Sequence, residues 1–144
     1  MTGRSFVDTN VVAYVYDRSS GFKRELAMDL VSQRLDDQSL VLSAQVLNEL
    51  ASTLLKPAFG LSLDEVRLAL RTLSPATTVE LDLNITLRAL DARARYQVSL
   101  WDGLVIAAAE RARCSEILSE DLNHGQEYFG IVVRNPFLNA VSEP

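Results

Sequence analysis

RSFVDTNVVAYVYD, residues 4–17, reads as a short apolar strand that delivers Asp8 to its C-terminal end and then turns through Thr9 and Asn10 into a helix. Open α/β folds bind their ligands just outside the carboxyl ends of the strands, so an acid at this point occupies a functional edge. Three later segments, ending at Glu49, Asp102 and Asp121, each bring another carboxylate to a strand end or to the helix beyond it.

The remainder of the chain supports that arrangement. Asn10–Tyr16 is the expected first helix, and Ser19, Ser20 and Gly21 break it. Phe22–Leu35 follows as an amphipathic helix, with Leu26, Ala27, Leu30 and Val31 at the 3.6-residue period. Ser39–Ser43 is short and β-compatible, and leads into a helix over Gln45–Lys56 that Pro57 ends. Ser62 and Glu65 have the spacing of a capping box for a helix to about Leu73. Thr77–Leu81 is a third strand by its β-branched content. Asp82 or Asn84 caps a helix to Tyr96, and Ser99 caps the next, through Arg113. Glu116–Ser119 and Ile131–Arg134 are the last strands, with an irregular piece bracketed by Gly125 and Gly130 between them. Strands alternating with helices of this length call for a parallel sheet covered on both faces, joined by right-handed crossovers.

The bulk numbers narrow the class. With 144 residues, 48% hydrophobic and 23% charged, and with no repeat or linker-like tract, the chain is expected to be one folded domain, residues 1–144. No apolar run is long enough to span a bilayer, and MTGRSFVD lacks the apolar core of a signal peptide. A cytoplasmic location without membrane attachment is the expectation. The single cysteine, Cys114, reads as a small buried apolar residue. A net charge of −5 argues against coating nucleic acid by bulk electrostatics. All but Lys23 and Lys56 of the 14 basic residues are Arg, the side chain suited to bidentate phosphate contacts, although genomic composition explains the bias equally well.

Each acid, taken singly, has a structural explanation. Asp8 follows a strand and precedes a helix, the place of an N-cap. Glu49 is read in the first turn of its helix, where the helix dipole favours a negative charge. Asp102 completes a capping box with Ser99, and Asp121 starts a turn. Jointly they are harder to explain, because all four fall on one edge of the sheet between apolar flanks. Each carboxylate pair a few Å apart costs several kcal/mol at an effective dielectric of about 20. Some would stay protonated unless a cation shared the site. Oxygen donors without His or Cys select Mg²⁺ or Mn²⁺, and such ions serve mainly in phosphoryl chemistry. Thr9 and Asn10 are accessory polar residues beside the first acid, suited to orienting a ligand or a water, and equally to starting the helix. His124, the only histidine, reads as a surface residue. Trp101 reads as core or rim packing rather than a base-stacking platform, and the helix bearing Arg88, Arg93 and Arg95 as a solvated face rather than a site for substrate phosphate. Of the neighbours Glu120 and Asp121, the latter is the better placed.

The blocks FVDTNVVAYVYD, SAQVLNEL, LWDGLVIAAAE and ILSEDLNHGQ, closing with VVRNPF, resemble the PIN-domain ribonucleases, and more narrowly the VapC toxins of bacterial toxin–antitoxin pairs. The resemblance spans essentially the whole chain. It implies a PIN-like three-layer α/β/α fold with a mainly parallel central sheet, dependence on Mg²⁺ or Mn²⁺, and endonucleolytic cleavage of RNA. Carried onto this sequence, the acidic cluster is Asp8, Glu49, Asp102 and Asp121, catalytic and metal-holding, with Thr9 and Asn10 accessory. It also implies a homodimer held inactive by a small VapB-like antitoxin. Two rival readings keep the fold and change the function: a non-catalytic PIN-fold interaction module, and a DNA-directed metal-dependent nuclease. A phosphorelay receiver or phosphatase fits less well, because no second acid accompanies Asp8 and no lysine ends a late strand.

Overall fold

A computed structural model describes residues 3–138. Six strands form one sheet: β1 (Arg4–Val7), β2 (Leu40–Ser43), β3 (Thr77–Val79), β4 (Cys114–Leu118), β5 (Glu127–Tyr128) and β6 (Ile131–Arg134), in the order β3-β2-β1-β4-β6-β5. All neighbouring pairs are parallel except β5–β6. The helices are α1 (Thr9–Ala13), α2 (Phe22–Asp36), α3 (Ala44–Leu54), α4 (Leu63–Thr72), α5 (Leu83–Tyr96) and α6 (Leu100–Arg111). Right-handed crossovers put α1 to α4 on one face and α5 with α6 on the other, since the chain reverses its direction across the sheet between β3 and β4. This is the three-layer arrangement expected from the sequence.

The sheet is apolar on both faces, as parallel sheets are. Phe6, Val7, Leu40, Val41, Leu42, Ile117 and Val133 are almost wholly buried. Helix α6 is buried from Gly103 to Ala109, a run that lacks a polar face because the helix lies between the sheet and α5. A Cβ built on Gly103 would lie 2.6 Å from the Ala89 carbonyl oxygen of α5, so the two helices touch backbone to backbone there. Arg88 on Glu110 (2.8 Å) and Arg111 on Asp82 (2.6 Å) tie the same two helices at their surface. That contact fixes where the first turn of α6, carrying Asp102, emerges. Among the described residues no helix is long and apolar enough to cross a membrane.

Besides shifts of a residue at several boundaries, the elements depart from the sequence reading in five places, the first being β3, which stops at Val79 rather than Leu81. Helix α1 stops at Ala13, and Tyr14–Tyr16 continues as a 3-10 turn. Helix α3 ends at Leu54, and Pro57 opens a further 3-10 turn instead of stopping the helix directly. Helix α6 ends at Arg111, and β4 starts earlier, at Cys114, and ends at Leu118. The piece between Gly125 and Gly130 is not irregular throughout: Glu127–Tyr128 pairs with β6 across a two-residue hairpin at Phe129 and Gly130. Both hairpin residues have positive φ (50° and 84°), the conformation of a tight turn that suits sheet twist. Phe129 bears this strained conformation because its surroundings hold it. Its N–H donates to the Tyr96 hydroxyl (2.9 Å), and the Arg88 guanidinium lies 3.7 Å from its ring centroid.

Gly103→Ala should destabilise the fold although Ala is the better helix former. Overpacking against a backbone carbonyl costs about 1–3 kcal/mol, more than the roughly 1 kcal/mol gained in helix propensity. A lower denaturation midpoint is the expected result. An unchanged or higher one would mean that α5 and α6 are not in contact at this residue.

Candidate functional site

Asp8 ends the central strand and is the N-cap of α1, its extended backbone (φ −73°, ψ 158°) following directly from β1. The residue is only 6% exposed. Its Oδ1 accepts the Thr9 N–H (2.8 Å), and its Oδ2 accepts the Ser119 hydroxyl (2.8 Å), with the Asn10 amide at 3.4 Å. Burial pushes its pKa up to about 6; the hydrogen bonds from Ser119 and Thr9 oppose the rise, and the charges of Asp121 and Glu49 add to it.

The other three acids reach the same place from separate elements. Together with Asp8, the residues Glu49, Asp102 and Asp121 line one open cleft of about 460 Å³. Glu49 lies in the second turn of α3, not the first, so the helix dipole does not account for it. Its Oε1 accepts the Thr9 hydroxyl (2.9 Å). Ser99 caps α6 by accepting the Asp102 N–H (3.0 Å), but no return bond from the Asp102 carboxylate to the cap backbone is made among the described residues. The expected capping box is therefore half formed, and the half-buried Asp102 lines the cleft. Its pKa is raised by burial, opposed by Ser99 and supported by the charges of Asp121 and Glu49. Asp121 follows β4 and is exposed at the rim. Glu120 does not line the cleft: it pairs with Lys23 (2.7 Å) and accepts the Tyr14 hydroxyl (2.6 Å).

Thr9 and Asn10 join these elements. Thr9 ties α1 to α3 through Glu49, and Asn10 reaches across to β4, its Nδ2 at 3.5 Å from Ser119 Oγ and its Oδ1 accepting the Glu120 N–H (3.1 Å). Two residues of the site were not singled out from the sequence. Ser119 is wholly buried; besides its bond to Asp8, its Oγ accepts the N–H groups of Asp121 (3.1 Å) and Leu122 (3.4 Å). Gln45, also buried, lines the cleft and donates from Nε2 to the Trp101 carbonyl (3.2 Å), while its Oε1 has no partner among the described residues. The visible signal for Ser119 was its place between a strand and an acid; for Gln45 a polar residue at the start of a helix after an apolar strand gave no such signal.

His124 stands apart from the cleft, its Nδ1 accepting the Asn135 N–H (3.0 Å). The arginines of α5 serve structural contacts: Arg88 on Glu110, Arg93 on the Val98 carbonyl (3.0 Å), and Arg95 beside the Tyr96 ring. Cys114 is buried, which pushes its thiol up to about 12. Trp101 is not core: it is 62% exposed and lines the cleft.

The fit to a cation follows from the donor set. Among the described residues no three acidic, His or Cys groups converge closely enough to ligate one ion by themselves. The acids share one cleft, feel one another's charge, and meet no basic side chain in its lining. This suits Mg²⁺, which keeps several of its waters and takes only one or two carboxylates directly, the others acting through those waters. It does not suit Zn²⁺, which wants a closed set of nitrogen or sulfur ligands.

A family model described as PIN domain matches residues 5–126. Among solved structures the chain is similar to a toxin–antitoxin complex from Klebsiella pneumoniae, at 20% identity and a TM-score of 0.67 over 92% of this chain and 97% of that one. It is similar to the DNA-bound VapBC of Salmonella typhimurium, at 15% identity and a TM-score of 0.66, covering 92% and 98% of the two chains. Mycobacterium tuberculosis VapC20, a Sarcin-Ricin loop cleaving toxin, matches at 16% identity and a TM-score of 0.65 over 81% and 91%. At such identities the likeness is one of fold. No curated protein sequence gives a significant match.

The raised pKa of Asp8 has a signed consequence for stability. Between the ordinary 3.8 and about 6 the folded state binds more protons than the unfolded one, so stability falls as pH rises through this window. The ionised carboxylate at pH 7 costs about 3 kcal/mol, the equivalent of the shift. Without divalent cations Asp8→Asn should therefore melt higher than wild type at pH 7, by up to that amount, and its advantage should shrink toward pH 4. Ser119→Ala should move the wild-type pH transition upward, because it deletes a charged hydrogen bond of about 1.5–3 kcal/mol that favours the ionised form. Thermal melts of the three proteins from pH 4 to 8 check both; superimposable pH profiles would contradict them.

Proposed function

The chain belongs to the PIN-domain family, and from this membership together with the carboxylate cleft we propose that it is a cytoplasmic, metal-dependent endoribonuclease acting as the toxin of a VapBC-type pair. The observation that carries the reading is that four carboxylates from four segments spread over the chain line one cleft with no basic side chain among them. Leaving such charge uncompensated is costly, and a divalent cation is the economical remedy. Asp8, Glu49, Asp102 and Asp121 would hold Mg²⁺ or Mn²⁺, with Thr9 and Asn10 keeping two of the acids in place. When bound, the ion supplies a water of lowered pKa, a polarised phosphate and charge neutralisation at the leaving oxygen.

The chain's own groups orient the reaction. Ser119 and the Thr9 N–H fix both oxygens of Asp8, and Thr9 fixes Glu49, so two acids face the cleft in set positions. Burial raises the pKa of Asp8 when no ion is present, so a bound cation would hold it ionised as a ligand facing the attacking water. Attack of that water on the phosphorus would form the new P–O bond and break the bond to the 3′ oxygen, with the water's proton passing to solvent and the 3′ oxygen taking one from solvent, leaving a 5′-phosphate and a 3′-hydroxyl. RNA as substrate is supported by the VapC20 neighbour, described as cleaving the Sarcin-Ricin loop, and a VapB-like antitoxin by the toxin–antitoxin neighbours. A homodimer belongs to the same proposal.

Asp8→Asn should fold, since a carboxamide still caps α1, and should lose cleavage by at least about 100-fold, the upper range of what loss of a mere outer-shell partner of a metal site costs. A mixed RNA pool and matched single-stranded DNA, incubated with Mg²⁺ or with EDTA, test the reading. RNA cutting lost on both EDTA and the substitution supports it. Cutting of DNA alone would make the protein a DNA-directed nuclease. A folded, Mg²⁺-supplied wild type that cuts neither would make it an interaction module.

A further inference from the structure

The cleft has an aromatic wall. Trp101 occupies the first turn of α6, immediately before Asp102, and is 62% exposed. Of the exposed large apolar side chains among the described residues, it alone lines the carboxylate cleft. A scattered exposed leucine is ordinary on a soluble protein, but a bare indole contiguous with a proposed phosphodiester site is placed for contact. The backbone beneath it is held. Gln45 donates to the Trp101 carbonyl from a buried position on α3, and Ser99 caps the turn.

The cleft also lacks the usual means of holding a nucleic acid. No Lys or Arg lines it, and many of the chain's cations are committed to internal acids. Lys23 is on Glu120, Arg34 and Arg134 are on Glu116, and Arg111 is on Asp82. With phosphate contacts scarce on the protein side, affinity has to come from elsewhere. Base stacking on an aromatic face is the principal sequence-tolerant alternative, and it requires a base free of its duplex. RNA is recognised chiefly where bases are unpaired and splayed.

We propose that Trp101 is a stacking platform for an unpaired base flanking the phosphodiester bound at the four acids. This rests on the nuclease reading and specifies its substrate. The rest of the lining includes the small residues Ala13, Ser52 and Thr53, and the open cleft of about 460 Å³ has room for a base. Trp101 is a binding residue in this scheme; the acids perform the chemistry.

Trp101 is the only tryptophan of the chain, so its emission reports on the contact directly. The cleavage-deficient Asp8→Asn protein is titrated in Mg²⁺ with a fluorescein-labelled unpaired RNA oligomer and with the same oligomer annealed to its complement. Anisotropy of the label follows binding and tryptophan emission follows stacking. Quenching by the single strand and none by the duplex is expected. In the Asp8-intact protein, Trp101→Ala should raise KM about 10-fold with little change in kcat, and Trp101→Phe should restore most of the loss.

Saturable binding of the single strand with unchanged emission would overturn the inference. So would a Trp101→Ala protein with the wild-type KM; a change in its sedimentation instead would assign the indole to a protein contact. Both outcomes leave RNA cleavage by wild type intact, whereas loss of the nuclease reading itself would show as no cutting by any form and would take the inference with it.

Discussion

A carboxylate buried at the end of the middle of the sheet is the constraint to which the surrounding structure answers. Asp8 is 6% exposed and directly follows β1, the strand between β2 and β4. An unpaired charge there would be prohibitive, so the residues around it are arranged to satisfy it. Thr9 supplies its N–H by turning at once into α1, and Ser119 supplies its hydroxyl from the end of β4. The Ser119 oxygen in turn accepts the Asp121 N–H, so the group that satisfies one acid also sets the direction of another. Thr9 passes the arrangement on to Glu49 through its hydroxyl. The hydrogen bonds only partly offset burial, which is why the acid remains hard to ionise without a cation.

Much of this was legible in the sequence because it rests on local rules. Alternating strand and helix signals specify a parallel sheet, and a parallel sheet places the residues after its strands on one edge whatever the details of packing. Asp8 and Asp121 could be located on that logic alone, whereas Asp102 follows helix α5 and reaches the cleft through the packing of α6 on α5. Glu49 was located correctly but for an incomplete reason, since it lies one turn further along α3 than the dipole argument assumed. What the sequence concealed depends on contacts distant in the chain. Ser119 looks like any residue ending a strand until Asp8 is packed beside it. Trp101 next to an apolar run suggested packing, and only the position of α6 against α5, set by Gly103 on Ala89, leaves the indole at the rim.

The β5–β6 hairpin was hidden for a different reason. Tight two-residue hairpins announce themselves by Asn-Gly or Asp-Gly, and here the first turn residue is Phe129. Its left-handed backbone is unfavourable for a bulky side chain, and the compensation comes from Tyr96 and Arg88 on α5, more than thirty residues earlier. Local propensity could not disclose a turn whose stabilisation is tertiary. The same residues commit Arg88 to structure and remove it from any phosphate-binding role.

The order in which the strands lie also governs when the cleft can exist. β1 leaves the ribosome first and is soon flanked by β2, but its other edge is closed only by β4, whose Leu118 accepts the Asp8 N–H. During that interval the apolar strand carries an open edge, the form most exposed to wrong pairing. Over the same interval Asp8 lacks both Ser119 and Asp121. The carboxylate cleft is therefore incomplete until β4 and the residues that follow it have been made, so it assembles only when β1 gains its second neighbour in the sheet.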